Sequence, residues 1–548
     1  MYKQVLDPVA HSLGWSSLVA AVPLLLLFVL LGVLRITAWV ASLVSLAVAI
    51  AIAIAVYGMP AGQALLAGTE GAAFGFFPIL WIVINAIWVY QMTVETGHFD
   101  VLRRSFARVS DDQRIQAIII AFSFGALLEA LAGFGTPVAV TSVMLIALGF
   151  KPLKAAALAL TANTAPVAFG AMATPIITLA KVTGLHGDTL GAMVGRQTPF
   201  LALFVPLALL AIVDGWRGIR ETWPVAVVCG LVFALAQYAT SNFISVPLAD
   251  VAASLLSAAA VVAMVRVWSP REPYTERAAV AGGAADEPTP EFAARVEGRD
   301  TPAEVTRAYA PYLIIIVVFV VCQITPVKNF LDKATIKFHW PGLHLVSPKG
   351  KPVSLVEFTL NLLTTPGTQM LIAGIITMIA LRLSLPRAAK AYGAALHQLR
   401  WAIVTVMGVL AMAFVMNASG QTITLGTWMA AAGGAFALIS PILGWLGVAV
   451  TGSDTSSNSL FGALQVTAAN QAGLSPVLMA AGNSSGGVLG KMISPQNLAI
   501  AAAAVGLHGK EGDIFRRVVI WSVVFLVFMC VLSGLQASDV LSWMVPHA

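Results

Sequence analysis

Apolar residues in this chain come in runs of about 20, separated by short polar connections. Leu18–Leu34, Val40–Val56 and Val518–Leu535 are three of them. At 1.5 Å per residue each crosses about 30 Å of hydrocarbon as a helix. The pattern predicts about 12 full spans. They lie near residues 16–34, 37–57, 73–96, 155–180, 197–214, 223–241, 246–266, 308–325, 367–382, 400–418, 475–506 and 518–537. The first run lacks the basic flank of a signal peptide and continues straight into further spans, so it is read as a span.

Two apolar stretches do not fit a single crossing. From Ile115 to Phe150 the chain leaves one basic cluster and arrives at another, Lys151 with Lys154. Basic residues near helix ends mark the cytoplasmic side. A re-entrant hairpin with its tip at Gly133–Pro137 satisfies both clusters, because glycine and proline break the helix there. The same reasoning gives a second hairpin at 436–470, its tip at Gly452–Ser457, entering from the opposite side.

Basic residues orient the rest. Arg103, Arg104, Arg108 and Arg114, then Arg217 and Arg220, are placed in the cytoplasm. So are Arg382, Arg387, Lys390 and Arg400, and later Lys510, Arg516 and Arg517. Both termini then lie outside. Residues 268–306, rich in proline, alanine, glycine and charge, read as a cytoplasmic linker between membrane halves 1–267 and 307–548. Residues 326–365 read as an external loop despite five lysines, since long loops escape the charge rule.

Composition agrees with a chain surrounded by lipid. It is 59% hydrophobic and 10% charged, against about 25% charged in soluble domains. The net charge of +6 sits at span ends and argues for orientation rather than nucleic-acid binding. Cys229, Cys322 and Cys530 fall inside apolar runs without metal-ligand spacing. No metal, cofactor, phosphate loop or nucleophile–base set is expected, which argues against a membrane enzyme or direct ATP drive.

An internal repeat connects the hairpins. Asn163, Gly170, Met172, Thr174 and Pro175 recur at the same spacing as Asn483, Gly490, Met492, Ser494 and Pro495. Each copy follows a glycine-rich hairpin. The charge topology runs the two copies in opposite directions, as in the inverted repeats of secondary transporters, whose sites lie mid-membrane between broken helices. The expected fold is all-α and polytopic, with two hairpins and two broken helices.

The polar groups concentrate at these places. Ser453, Thr455, Ser456, Ser457 and Asn458 crowd one tip and Thr136 sits at the other. Asn163, Thr164, Asn483, Ser484 and Ser485 are taken to mark the breaks. Hydroxyls, amides and helix N-termini are the donors a carboxylate needs. Three charges lie deep: Glu129, Asp454 and Lys491. Lys491 is a candidate for the anion, and Glu129 or Asp454 for a proton, because a neutral acid is cheaper to bury than its anion. Asp454 and Lys491 could also pair with each other. Arg196, beside Gln197 at the start of a span, fits a side chain reaching for the interface.

Five stretches then resemble one family. They are FGALLEALAGFGTP from Phe124, NTAPVAFGAM from Asn163, DGWRGIRETWP from Asp214, LGVAVTGSDTSSN from Leu446 and GKMISPQ from Gly490. Together they are similar to the lactate permeases, and the resemblance weakens only across residues 268–365. It implies proton-linked uptake of L-lactate, with D-lactate and glycolate, across a bacterial cytoplasmic membrane. A homodimer is left open. The residues alone reach an anion-handling secondary transporter. A sodium-coupled carboxylate or dicarboxylate carrier and a channel stay as rivals.

Overall fold

A computed structural model of the chain describes residues 2–133, 135–275, 300–348, 353–507 and 509–546. Most of the predicted linker and Phe134 of the first tip fall outside them. The described residues contain ten helices long and apolar enough to cross a membrane, or eleven with one bent pair taken as a single span. This does not confirm the count of 12. Gly187–Phe243 reads as one helical stretch but doubles back at Asp214 and Gly215, where Gly215 adopts φ 60°. Thr198 on one arm donates to Gln237 Oε1 on the other at 3.0 Å. Pro366–Ala380 is a shorter apolar helix.

The outer helices carry the lipid-facing surface. Leu18, Val22, Leu25 and Val29 of the first span are exposed along one side, as expected where hydrocarbon is the solvent. Gln113–Leu131 is the opposite case: it is buried along its whole length. Protein surrounds it on every side, which is where irregular backbone at membrane depth survives. It runs to a turn at Gly133 and Gly135, both with positive φ, and Thr136–Ala147 returns beside it. At the open end Gln113 donates to the carbonyl of Leu148 at 2.9 Å.

The second pair of arms, Phe436–Thr451 and Asp454–Ala472, turns at Gly452, φ 74°. Ser457 donates to the carbonyl of Gly444, and Gln465 to that of Ser440. The two hairpins enter from opposite ends. The open end of the first is tied through Arg114 to Asp214 and Glu221, near where Pro152–Ala162 begins. The open end of the second lies beside Leu185 and Ser475, where Gly170–Thr183 has stopped.

Both repeat segments contain a helix break, but at different points. In the first copy the helix stops at Ala162 and bends by 65°. Ala171, Met172 and Ala173 then form a left-handed turn, φ 44°, 57° and 60°, a conformation that costs non-glycine residues free energy. In the second copy the helix Pro476–Gly490 runs on through Asn483, Ser484 and Ser485. It breaks only at Lys491–Ser494, ahead of Pro495. The expectation that Asn483, Ser484 and Ser485 mark a break is therefore corrected. Glycines 486 and 490 explain why that helix stays intact: a Cβ there would strike the backbone of Pro441 or Trp445, so the helix packs flush against the hairpin arm.

The apolar interior divides in two. One core holds the hairpins, the broken helices and the helices of 198–267. The other holds the first two spans, Ala61–Phe74, the later half of Leu385–Ser419 and the loop around 335–361, and it takes in Ala132, Ala171, Val182 and, from the second hairpin, Leu460, Phe461 and Leu464. That loop is not irregular throughout. Thr335–His339 pairs antiparallel with Glu357–Asn361, and Tyr2–Lys3 pairs with Leu345–Val346.

Candidate substrate site

A cavity of about 460 Å³ opens between these two cores. From the hairpin core it is lined by the first tip at Gly133, the left-handed turn at Ala171, the second tip from Thr451 to Ser456, and Lys491, Gln496 and Asn497 beyond the second break. From the other core it is lined by Thr37–Trp39 and by Trp401, Thr405 and Val406. Trp39 and Trp401 stack there, ring centroids 4.9 Å apart.

Two helices aim their N-termini at this space. Ser453 caps Asp454–Ala472 by accepting from the backbone N–H of Ser456. Ser494 caps Pro495–Ala504 by accepting from that of Asn497. Capping leaves other first-turn N–H groups free, and both dipoles favour an anion. The second of these helices touches both tips. A Cβ on Gly135 would meet Ile500, one on Gly452 would meet Gln496, and Asn497 donates to the Gly452 carbonyl at 3.3 Å.

The central contact is ionic. Lys491 Nζ donates to Glu129 Oε1 at 2.6 Å, and both side chains are almost fully buried. Asn163 donates to Glu129 Oε2 at 3.0 Å. Gly170 makes room for the carboxylate, since a Cβ there would sit 2.6 Å from Oε1. The suggested pairing of Lys491 with Asp454 is thus replaced by a pairing with Glu129. Asp454 Oδ2 accepts from Ser484 at 2.5 Å and from Asn458 at 3.4 Å, while its buried Oδ1 has no hydrogen-bond partner among the described residues.

The cavity and the ion pair give the repeat motifs a common destination, and whole-chain comparison agrees. A family model described as L-lactate permease matches residues 16–539. The chain belongs to that family. It is 42% identical to the glycolate permease GlcA of Escherichia coli strain K12, over 96% of each chain. It is 40% identical to the L-lactate permease of Bacillus subtilis strain 168 and 42% identical to that of Escherichia coli strain K12, over the full length of each. It is a multi-pass membrane transporter and not an enzyme.

Within this permease the predicted residues separate into three groups. Ser453, Thr455, Ser456, Lys491, Glu129 and Asp454 line the cavity. Asn163 and Ser484 act behind it, each holding one carboxylate. The others serve packing or lie away from it. Ser457 joins the hairpin arms, and Asn458 donates to the carbonyl of Pro175 while accepting from Asn483. Thr164 bonds back to Thr161, Ser485 is buried without a partner among the described residues, and Thr136 only starts a hairpin arm. Arg196 donates to Asn242 and to the carbonyl of Met544.

Sequence reasoning missed the facing wall. Trp39 and Trp401 were not singled out, and nothing local shows that positions 362 apart would stack. Two buried carboxylates, Glu70 and Asp250, were also missed. Asp250 accepts from Gln237 at 2.7 Å.

Proposed function

We propose that this chain carries L-lactate and related 2-hydroxymonocarboxylates, D-lactate and glycolate among them, across the bacterial cytoplasmic membrane together with a proton. The buried Glu129–Lys491 pair is the observation that carries this reading. With Glu129 ionised, the lysine's charge is already answered, and a second carboxylate entering the cavity has no free cation. A proton on Glu129 removes that competitor. Lys491 then faces the cavity as an unpaired ammonium, beside two helix N-termini and the Ser453–Ser456 hydroxyls. Anion and proton load together because each makes room for the other. A proton and an anion loaded together add no net charge to the site, which lowers the cost of moving it through a low-dielectric barrier.

The wall formed by Trp39 and Trp401 adjoins Arg400, which the charge pattern puts in the cytoplasm. This supports an inward-facing state. Outward opening would then move the hairpin core against the other core, carrying both tips and the ion pair with it. Relatives named for lactate and for glycolate support a small 2-hydroxy acid. A volume of about 460 Å³ lies within the usual range for small-molecule sites, ~300–1,000 Å³.

Reconstitution in sodium-free proteoliposomes tests the reading. An inward pH gradient should drive lactate accumulation, and a protonophore should abolish it. Uptake that requires sodium at every pH would contradict proton coupling.

A further inference from the structure

Glu70 lies inside an apolar span, yet its side chain is fully buried. Neither carboxylate oxygen has a hydrogen-bond partner among the described residues. It sits on Ala61–Phe74, part of the core that faces the hairpins. The charge that acts on it comes from Lys181, in the last turn of Gly170–Thr183, a helix that packs mainly in the first core and reaches the second through Ala171 and Val182. Phe74 shares the face of Glu70, four residues on, and the Lys181 ammonium lies 5.8 Å from the centre of its ring. The two residues therefore meet across the seam between the cores.

The external loop closes over this seam and grips both sides. Lys181 Nζ donates to the carbonyl of Glu357 at 2.6 Å. Trp340 Nε1 donates to Thr69 Oγ1, next to Glu70, at 3.2 Å. Among the described residues, the two helices packed on this one bring no charge to Glu70. Ala38–Ala55 contains no ionisable residue. Leu385–Ser419 meets this helix through Met407, Leu410, Ala411, Phe414 and Val415. Beyond Lys181, the ionisable groups at the seam among the described residues are Glu357, which acts on Lys181, and Lys337, whose ammonium lies 3.9 Å from the Glu357 carboxylate.

We propose that Glu70 is a second proton-binding site, separate from the Glu129–Lys491 pair, and that it controls opening on the loop side. Ionised, Glu70 attracts Lys181 across the seam and holds the two cores together. Protonated, it loses that attraction, and the end of Gly170–Thr183 can leave Ala61–Phe74. The loop faces outside by the charge pattern, so external acid favours the state that accepts substrate and proton from outside. The inference rests on the two-core transport reading above.

The test measures accessibility in the absence of substrate. The full chain, with Cys229, Cys322 and Cys530 replaced by serine, carries Ser456→Cys in the cavity. An impermeant maleimide is added on the loop side, and its rate is divided by that of a reference Asn329→Cys, an exposed position on the same side. One proton coupled to opening changes the open fraction by up to about tenfold per pH unit. The ratio should rise steeply from mildly alkaline to mildly acidic pH. With Glu70→Gln it should be high and flat across that range, and with Lys181→Gln likewise. If Glu70→Gln fails to fold, Lys181→Gln decides alone. The parent's slope surviving in either folded variant overturns the proposal, as does a slope that appears only when sodium is present. No lactate is used, so this outcome is independent of whether Glu129 couples the proton to transport.

Discussion

Lys491 and Glu129 stand 362 residues apart in the chain and 2.6 Å apart in space. The lysine belongs to the break in the second half and the carboxylate to the hairpin of the first. Neither repeat can form this pair alone. Removing one member of a buried pair typically costs about 3–5 kcal/mol, because it leaves an uncompensated charge. The same penalty lets protonation or substrate binding act as a switch here, since each changes which charge is compensated.

Gly170→Ala should abolish uptake without preventing membrane insertion. The added methyl would fall 2.6 Å from Glu129 Oε1 and displace the carboxylate from Lys491 and Asn163. Gly434→Ala is the control, because nothing lies within 4 Å of its Cβ position. Initial rates of radiolabelled lactate entry, normalised to protein in the membrane, check this.

Asp454 lines the cavity, and its Oδ1, buried beside Gly487, has no hydrogen-bond partner among the described residues; a turn of the carboxylate toward the cavity on loading would let it accept from the 2-hydroxyl of the substrate. Asp454→Asn should keep proton-driven accumulation but lose selectivity. A hydrogen bond to a charged group contributes roughly 1.5–3 kcal/mol, so the preference for lactate over propionate should fall by about 10- to 100-fold. Competition assays measure it. An unchanged preference would mean that Asp454 does not read the hydroxyl.

Arg114 is completely buried and pairs with Asp112, Asp214 and Glu221. It fastens the open end of the first hairpin to the turn at Gly215. Arg114→Ala leaves these acids without their cation and should destabilise the protein by about 3–5 kcal/mol. The melting temperature in detergent should drop clearly, whereas exposed Arg516→Ala should leave it nearly unchanged.

Cytoplasmic pH should act on a separate carboxylate contact. Asp300 is held below the usual carboxylate range mainly by the hydrogen bond from Arg104, 2.5 Å away. A depressed carboxylate stabilises the fold above its unfolded-state titration and loses that contribution as pH falls through its folded one. Acid on the cytoplasmic face should therefore loosen 300–304 from His98–Ala107, which hydrogen exchange would detect. Both side chains are partly buried but lie near the protein surface, where solvent screening keeps the effect small.

Much of this arrangement was legible in the sequence because membrane burial makes polar residues conspicuous. Glu129, Asp454 and Lys491 stand out in apolar surroundings, and glycine-rich tips announce where the helices end. The second break was harder to place. Asn483, Ser484 and Ser485 look like backbone-satisfying residues, but inside an unbroken helix they bond to other side chains: Asn483 to Asn458 and Ser484 to Asp454. Glu70 was hidden because a single acid in an alanine-rich span resembles an interface residue until Lys181 is seen across the seam. The tryptophan wall depends on contacts between distant spans, which no local pattern encodes.

The pairing of Glu129 with Lys491 is tested most directly by Glu129→Gln in proteoliposomes, comparing lactate counterflow with pH-driven accumulation. The amide keeps the shape of a protonated acid and leaves Lys491 unpaired, but it cannot release a proton. Counterflow should persist at near the parent rate, independent of pH, and accumulation against a pH gradient should vanish. Accumulation retained at the parent level, with the parent's pH dependence, would contradict the assignment of the transported proton to Glu129.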